Sequence, residues 1–191
     1  FNFLPQFNYN YKFSNSQRLR LSYKTNSAQP SINQLQPVQD NTNPNRITIG
    51  NSELIPTYSH NFSLRYNKWK ALTGSYVYTG ANYNITQNAF SSSVEYDNFG
   101  KTISQTVNID QNSSANLYFG AGIPILGSVL SINPNLNTSY TNTTNFVNTN
   151  ENTTNTLNLS GELEFEIETD SFELYLGGSY SYYSPSSTLA I

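Results

Sequence analysis

The chain has 191 residues with 9 Lys+Arg against 12 Asp+Glu, a net charge of −3, and only 11% charged residues where about 25% is usual. Uncharged polar residues fill the gap, Asn foremost with 29, together with 15 Tyr and 11 Phe. The lack of Cys excludes a disulfide framework, a thiolate metal site and a cysteine nucleophile, one His leaves no imidazole cluster, and the acidic balance gives no footprint for nucleic acid.

No run of eighteen apolar residues exists, so no transmembrane helix is expected. Phe1-Asn2-Phe3-Leu4 lacks the basic region and apolar core of a signal peptide, and Met is absent even at position 1, so a processed product or a piece of something longer is expected. Strands of about 9–11 alternating residues still cross a bilayer.

The apolar period is two nearly throughout. Phe7, Tyr9, Tyr11 and Phe13 alternate with Asn8, Asn10 and Lys12; after a turn at 14–17, Leu19, Leu21 and Tyr23 alternate with Arg20, Ser22 and Lys24, which predicts a hairpin. A third strand is predicted through His60, Phe62, Leu64 and Tyr66, with a turn at Lys68-Trp69-Lys70. The fourth runs from Ala71 to about Gln87, with Leu72, Tyr76 and Tyr78 on one face and Val77, Ala81, Tyr83 and Ile85 on the other. The fifth, about Val107 to Ile123, sets Leu117, Phe119, Ala121 and Ile123 against Asn116, Tyr118, Gly120 and Gly122.

A turn at Ile125-Leu126-Gly127-Ser128 leads to a sixth strand with Leu130, Ile132, Pro134 and Leu136 on one face. Pro134 lacks an N–H for a ladder and asks for an edge, a bulge or a strand end. The seventh strand sets Leu157, Leu159, Leu163, Phe165 and Ile167 against Glu162, Glu164, Glu166 and Glu168, and after a turn at 169–171 the eighth follows as Phe172, Leu174, Leu176, Gly178, Tyr180 and Tyr182.

Short turns near 14–17, 67–70, 124–128 and 169–171 alternate with long polar connections at 26–57, 88–106 and 141–153. Connections sorted by side in this way belong to an up-and-down barrel in an outer membrane, whereas a soluble meander has no reason to sort them. The expected fold is therefore all-β, an antiparallel transmembrane β-barrel or part of one with about eight strands, forming one domain or segment over 1–191 with no plug domain. Its expected place is the cell outer membrane, in contact with the lipid bilayer.

The glutamate row 162–168 reads as a wet face with no specific site, one that in a water-filled lumen would bias the interior toward cations and in a soluble sheet would simply be the solvated side. Tyr23, Tyr58, Tyr140, Tyr180 and Tyr182 are expected to form a headgroup girdle. His60 has no nucleophile or orienting partner at catalytic spacing, the Asn-x-Ser/Thr triplets follow from composition, and the Asn/Thr stretch 141–154 reads as a hydrated, mobile loop. Neither an enzyme nor a cofactor is expected. The charged residues Asp40, Arg46, Asp97 and Lys101 in the two longest connections are the expected contacts for a polar ligand.

Three stretches carry a resemblance. Arg18-Leu19-Arg20-Leu21-Ser22-Tyr23, then Gln29-Pro30-Ser31-Ile32-Asn33-Gln34-Leu35-Gln36-Pro37, then Ile49-Gly50-Asn51-Ser52-Glu53-Leu54-Ile55-Pro56-Thr57-Tyr58-Ser59-His60-Asn61-Phe62 resemble the barrel of Bacteroidota-type TonB-dependent outer-membrane receptors. There an extended strand leads into a Pro-Ser/Thr-Ile/Leu-x-x-Leu loop, and a Gly-Asn-Pro-x-Leu-Lys-Pro-Glu segment returns the chain to the next strand. This sequence carries Ser52, Ile55 and Thr57 where the family usually has Pro, a basic residue and Glu. The resemblance implies a C-proximal part of a larger barrel, with a plug domain and TonB as partners in uptake of a nutrient ligand whose identity the variable loops hide. A different class, a soluble or surface-attached antiparallel β-sandwich binding glycan or protein, is the alternative.

Overall fold

The computed structural model describes residues 3–37, 40–43, 45–127 and 129–189. Eight long strands follow one another across a single antiparallel sheet: β1 (Gln6–Ser14), β2 (Gln17–Ala28), β5 (Thr57–Lys70), β6 (Ser75–Tyr96), β7 (Thr102–Pro124), β8 (Leu130–Val147), β9 (Asn150–Glu168) and β10 (Glu173–Ser187). The β2–β5 connection holds a single helical turn, α1 (Ile32–Leu35), and two short strands, β3 (Asp40–Asn43) and β4 (Arg46–Ile49). Among the described residues neither β1 nor β10 pairs along its second edge, so the sheet is open.

The pairing confirms the period-two reading and converts it into two faces. Phe7 lies opposite Tyr23, Tyr23 opposite Phe62, Phe62 opposite Tyr83, Tyr83 opposite Ala115 and Ala115 opposite Tyr140. One hydrogen-bonded row thus carries aromatic rings on five strands, with Tyr23 and Phe62 4.8 Å apart between centroids. The same face holds Leu19, Leu21, Leu64, Leu117, Leu136, Leu159, Leu163 and Leu176, and all five expected girdle tyrosines. Nothing among the described residues packs over it: Leu117 is 56% exposed and Leu174 52%. A soluble sandwich would cover this face with a second sheet.

The belt also slants. On β5 and β6 its apolar residues stop near Tyr66 and Val77, whereas on β8, β9 and β10 they continue toward the short turns through Leu130, Ile167 and Leu174. A membrane-parallel belt crosses hydrogen-bonded rows obliquely only when the strands tilt, and barrel strands tilt by about 35–45°.

The turns differ in detail from the sequence reading. β5 continues through Lys70, the turn falls at 71–74 and is closed by Gly74 at φ 68, so Ala71 is turn rather than strand. Gly127 at φ 59 serves the β7–β8 turn, while Ser128 lies outside the described residues. Pro134 sits inside β8, continuous with β9 through Leu163, and the β7 ladder skips it between Gly120–Asn135 and Ile123–Ile132. Its missing N–H falls on that interrupted side.

Polar stretches 88–106 and 141–153 are largely strand, because β6 and β7 run on to a turn at 97–101 and β8 and β9 to Asn148-Thr149. The connections still alternate by side, but two of the long ones are ribbons standing above the belt. Leu163→Arg, at mid-belt on the outward face, is expected to cost about 2–4 kcal/mol in bilayers, whereas Ser160→Arg on the opposite face should stay within about 0.5 kcal/mol. Denaturant titration of both variants refolded into lipid checks this; equal costs would refute the face assignment.

Candidate functional site

The face opposite the belt is polar from edge to edge. Asn10 pairs with Arg20, Arg20 with Arg65, Arg65 with Gly80, Asn61 with Asn84 and Ser63 with Asn82. Asn84 Nδ2 donates to Asn61 Oδ1 at 2.8 Å, Ser63 Oγ to Asn82 Oδ1 at 2.8 Å and Asn116 Nδ2 to Asn137 Oδ1 at 3.1 Å. Asn61 also donates through Nδ2 to Lys24 O, and Asn84 Oδ1 also accepts from Thr86 Oγ1, so these amides are fixed by more than one partner.

Between β6 and β7 this wall is built from Tyr and Gly set against each other: Tyr76 opposite Gly122, Tyr78 opposite Gly120 and Tyr118 opposite Gly80. A Cβ on Gly120 or Gly122 would meet the facing ring, and one on Gly80 would come within 2.6 Å of the Leu64 carbonyl oxygen. The rings lie flat over the glycines, a packing that keeps the wall smooth. Tyr78 Oη reaches on to donate to Asn135 Oδ1 at 2.8 Å.

Charge on the wall is segregated. Lys12, Arg18, Arg20, Lys24 and Arg65 stand on β1, β2 and β5; Glu162, Glu164, Glu166 and Glu168 line β9, with Glu173 beside them on β10. The expected wet glutamate face is this inner face, where Asn133 Nδ2 donates to both Glu164 and Glu166 at 3.2 Å and Ser131 Oγ to Glu166 at 3.2 Å. His60 is on the outward face, its Nδ1 2.9 Å from Tyr23 Oη, away from the lumen.

Above the belt the connections lock together. Ser31 caps α1 in a capping box with Gln34, and Gly50 passes so close to Gln36 that a Cβ would overlap its carbonyl. Asn51 N donates to Gln34 O at 2.6 Å, Asn51 Nδ2 to Thr106 O at 3.1 Å, and Gln105 Nε2 to Gly50 O at 3.1 Å. Asn108 holds Ile55 by both its N–H and C=O. Ile47, Leu54, Ala89 and Ile109 are buried there. The motif residues that carry the family resemblance are therefore a clamp fastening the 29–57 connection to β7.

The β6–β7 ribbon makes this possible by turning over. Lower in the sheet the order is β5-β6-β7-β8, but higher up β4 pairs with β7 and β8 with β6, giving β4-β7-β6-β8. The ribbon's two edges have exchanged sides, so it rotates by about half a turn, in keeping with the strong twist of two-stranded ribbons. Asn88, at φ 49, interrupts the β6–β7 ladder without changing its register where this begins. Asn148 ties the β8–β9 tip to it, its N–H donating to Val94 O and its Oδ1 accepting from Tyr96 N, both at 2.9 Å. Stretch 141–154 is thus an ordered ribbon, not the mobile loop its composition suggested.

Of the four expected ligand contacts, Arg46, Asp97 and Lys101 fall at one corner. Asn45 O accepts from Thr102 N, so the start of β4, with Arg46, lies beside the turn holding the other two. Asp97 Oδ1 accepts from Phe99 N and Lys101 N at 2.8 Å and so builds that turn. Asp40, in the neighbouring β3, pairs through its backbone with Thr48 of β4, and its side chain lies outside the described residues. The Arg20–Arg65 pairing escaped sequence reasoning, because alternation assigns a face but the register across a long connection sets the partner.

An open, tilted antiparallel sheet with an uncovered apolar belt, a polar inner wall and ribbons on one side defines a transmembrane β-barrel or a part of one. The model of the outer membrane protein beta-barrel family matches residues 1–190, and the chain belongs to that family, which places it in the outer membrane. In fold it is similar to the crystal structure of the siderophore receptor PirA from Pseudomonas aeruginosa, with a TM-score of 0.58 at 16% identity over 97% of this chain. The chain spans 36% of that receptor's length. No curated protein matches it.

Gly50→Ala is expected to loosen the clamp by about 1–3 kcal/mol, because the obstacle is backbone, while Gly178→Ala meets nothing within 4 Å. Limited proteolysis should cut the 29–57 connection faster in the first variant only.

Proposed function

We propose that the chain is the C-proximal part of the barrel of a Bacteroidota-type TonB-dependent receptor, which takes up a bulky nutrient through a lumen closed by a plug domain. The observation that supports this reading is the open sheet: among the described residues the outer edges of β1 and β10 are unpaired, and each backbone group exposed to lipid costs several kcal/mol, so further strands would relieve them. The Ser31 and Gly50-Asn51 clamp supports it, being the part of the sequence that resembles such receptors. So does the fold of a siderophore receptor nearly three times as long as the matched stretch. The role is transport and not catalysis; the one imidazole faces outward.

Intact mass of the outer-membrane species containing this sequence tests the reading. A species several times larger than 21.4 kDa is expected, with solute uptake that stops when the proton-motive force is collapsed. A species near 21.4 kDa, or uptake indifferent to that force, would refute it.

A further inference from the structure

We propose that the inner wall carries an anion site built on Arg20 and Arg65, which takes a carboxylate or phosphate group of a solute in the lumen. The inference rests on the inward assignment of this face and not on energised uptake. Arg20 and Arg65 are directly opposite across β2 and β5, and two rows nearer the β1–β2 turn, on the same face, Lys12 is directly opposite Arg18. Like charges in such positions repel, with Cβ atoms about 4.5–5.5 Å apart, and Arg18 and Arg20 follow on the same face at about 7 Å.

No carboxylate relieves this. Among the described residues the inward face of β1, β2 and β5 bears none, and the glutamate row of β9 stands four strands beyond β5. At about 4.8 Å per strand that is about 19 Å, more than twice the Debye length of about 8 Å. The wall around the pair forms a trough of about 470 Å³ whose lining includes Asn10, Asn61, Asn82 and Asn84 as well as both arginines. Asn82 and Asn61 are held by Ser63 and Asn84, so the amides beside the cations have fixed orientation. Two guanidinium forks side by side, flanked by amides, match the oxygen pairs of a carboxylate or phosphate, and a bound anion removes the repulsion.

The full-length protein in detergent at low ionic strength, titrated calorimetrically with inorganic phosphate and with citrate, tests this. Saturable binding is expected, weakening with added salt and falling by about tenfold or more in Arg20→Gln/Arg65→Gln. The double variant with lysine at both positions keeps the charge and serves if the glutamine variant fails to fold; its loss of the bidentate forks should also weaken citrate binding. Absence of saturable binding, or binding unchanged in these variants, overturns the site. Carbodiimide treatment of the lysine variant separates solute from polypeptide: an isopeptide bond from position 20 or 65 to a carboxylate of another segment assigns the counter-charge to the protein and overturns the proposal, while its absence alongside weakened citrate binding supports it.

Discussion

A peptide N–H or C=O facing hydrocarbon finds no water, and every other feature of this protein follows from that. The spanning strands from β2 to β9 satisfy their backbone laterally, each to two neighbours, which leaves side chains as the only groups of those strands that meet lipid or lumen. Alternation of side chains then makes one strip of sequence serve two solvents. The Tyr23–Phe62–Tyr83 row and the leucines next to it dissolve in lipid, while Asn61, Asn84 and Arg65 on intervening positions meet water. A one-residue slip anywhere would exchange the two, so register is enforced by the bilayer itself.

Hydrocarbon ends above the aromatic row, and the rules of construction change there. Backbone edges can meet water, and burial comes instead from the protein's own small core at Ile47, Leu54, Ala89 and Ile109. The ribbons are joined by asparagine and glutamine side chains reaching backbone groups: Asn51 to Thr106, Gln105 to Gly50, Asn108 to Ile55 and Asn148 to Tyr96. The abundance of Asn thus has two uses, a hydrated inner wall below and cross-links above. Turning the β6–β7 ribbon over brings connections from two sides of the sheet into one assembly at the mouth.

On the inner wall the Tyr–Gly pairs and the amide ladder show how a polar surface is kept ordered without a packed core. Each ring of Tyr76, Tyr78 and Tyr118 takes the place a neighbouring side chain would fill, so the glycines mark contact and not flexibility. Charges are separated across the width of the wall, basic toward β1 and acidic toward β9. At that separation in salt water each group acts on what lies in front of it and not on the opposite group.

The sequence by itself determined the eight long strands, their two faces and the side on which each connection lies, but not the short β3 and β4 inside the 26–57 connection, because period two and turn composition are local properties. It also carried the clamp motif, though not what the clamp holds. Tertiary structure alone decided that 88–106 and 141–153 continue as ribbons, because composition rich in Ser, Asn and Thr is compatible with loop or strand until a neighbouring strand offers hydrogen bonds. It decided that Asp97 serves its own turn, and that Arg20 faces Arg65. Those partners are separated by a connection whose folding fixes register, and no local pattern contains that information.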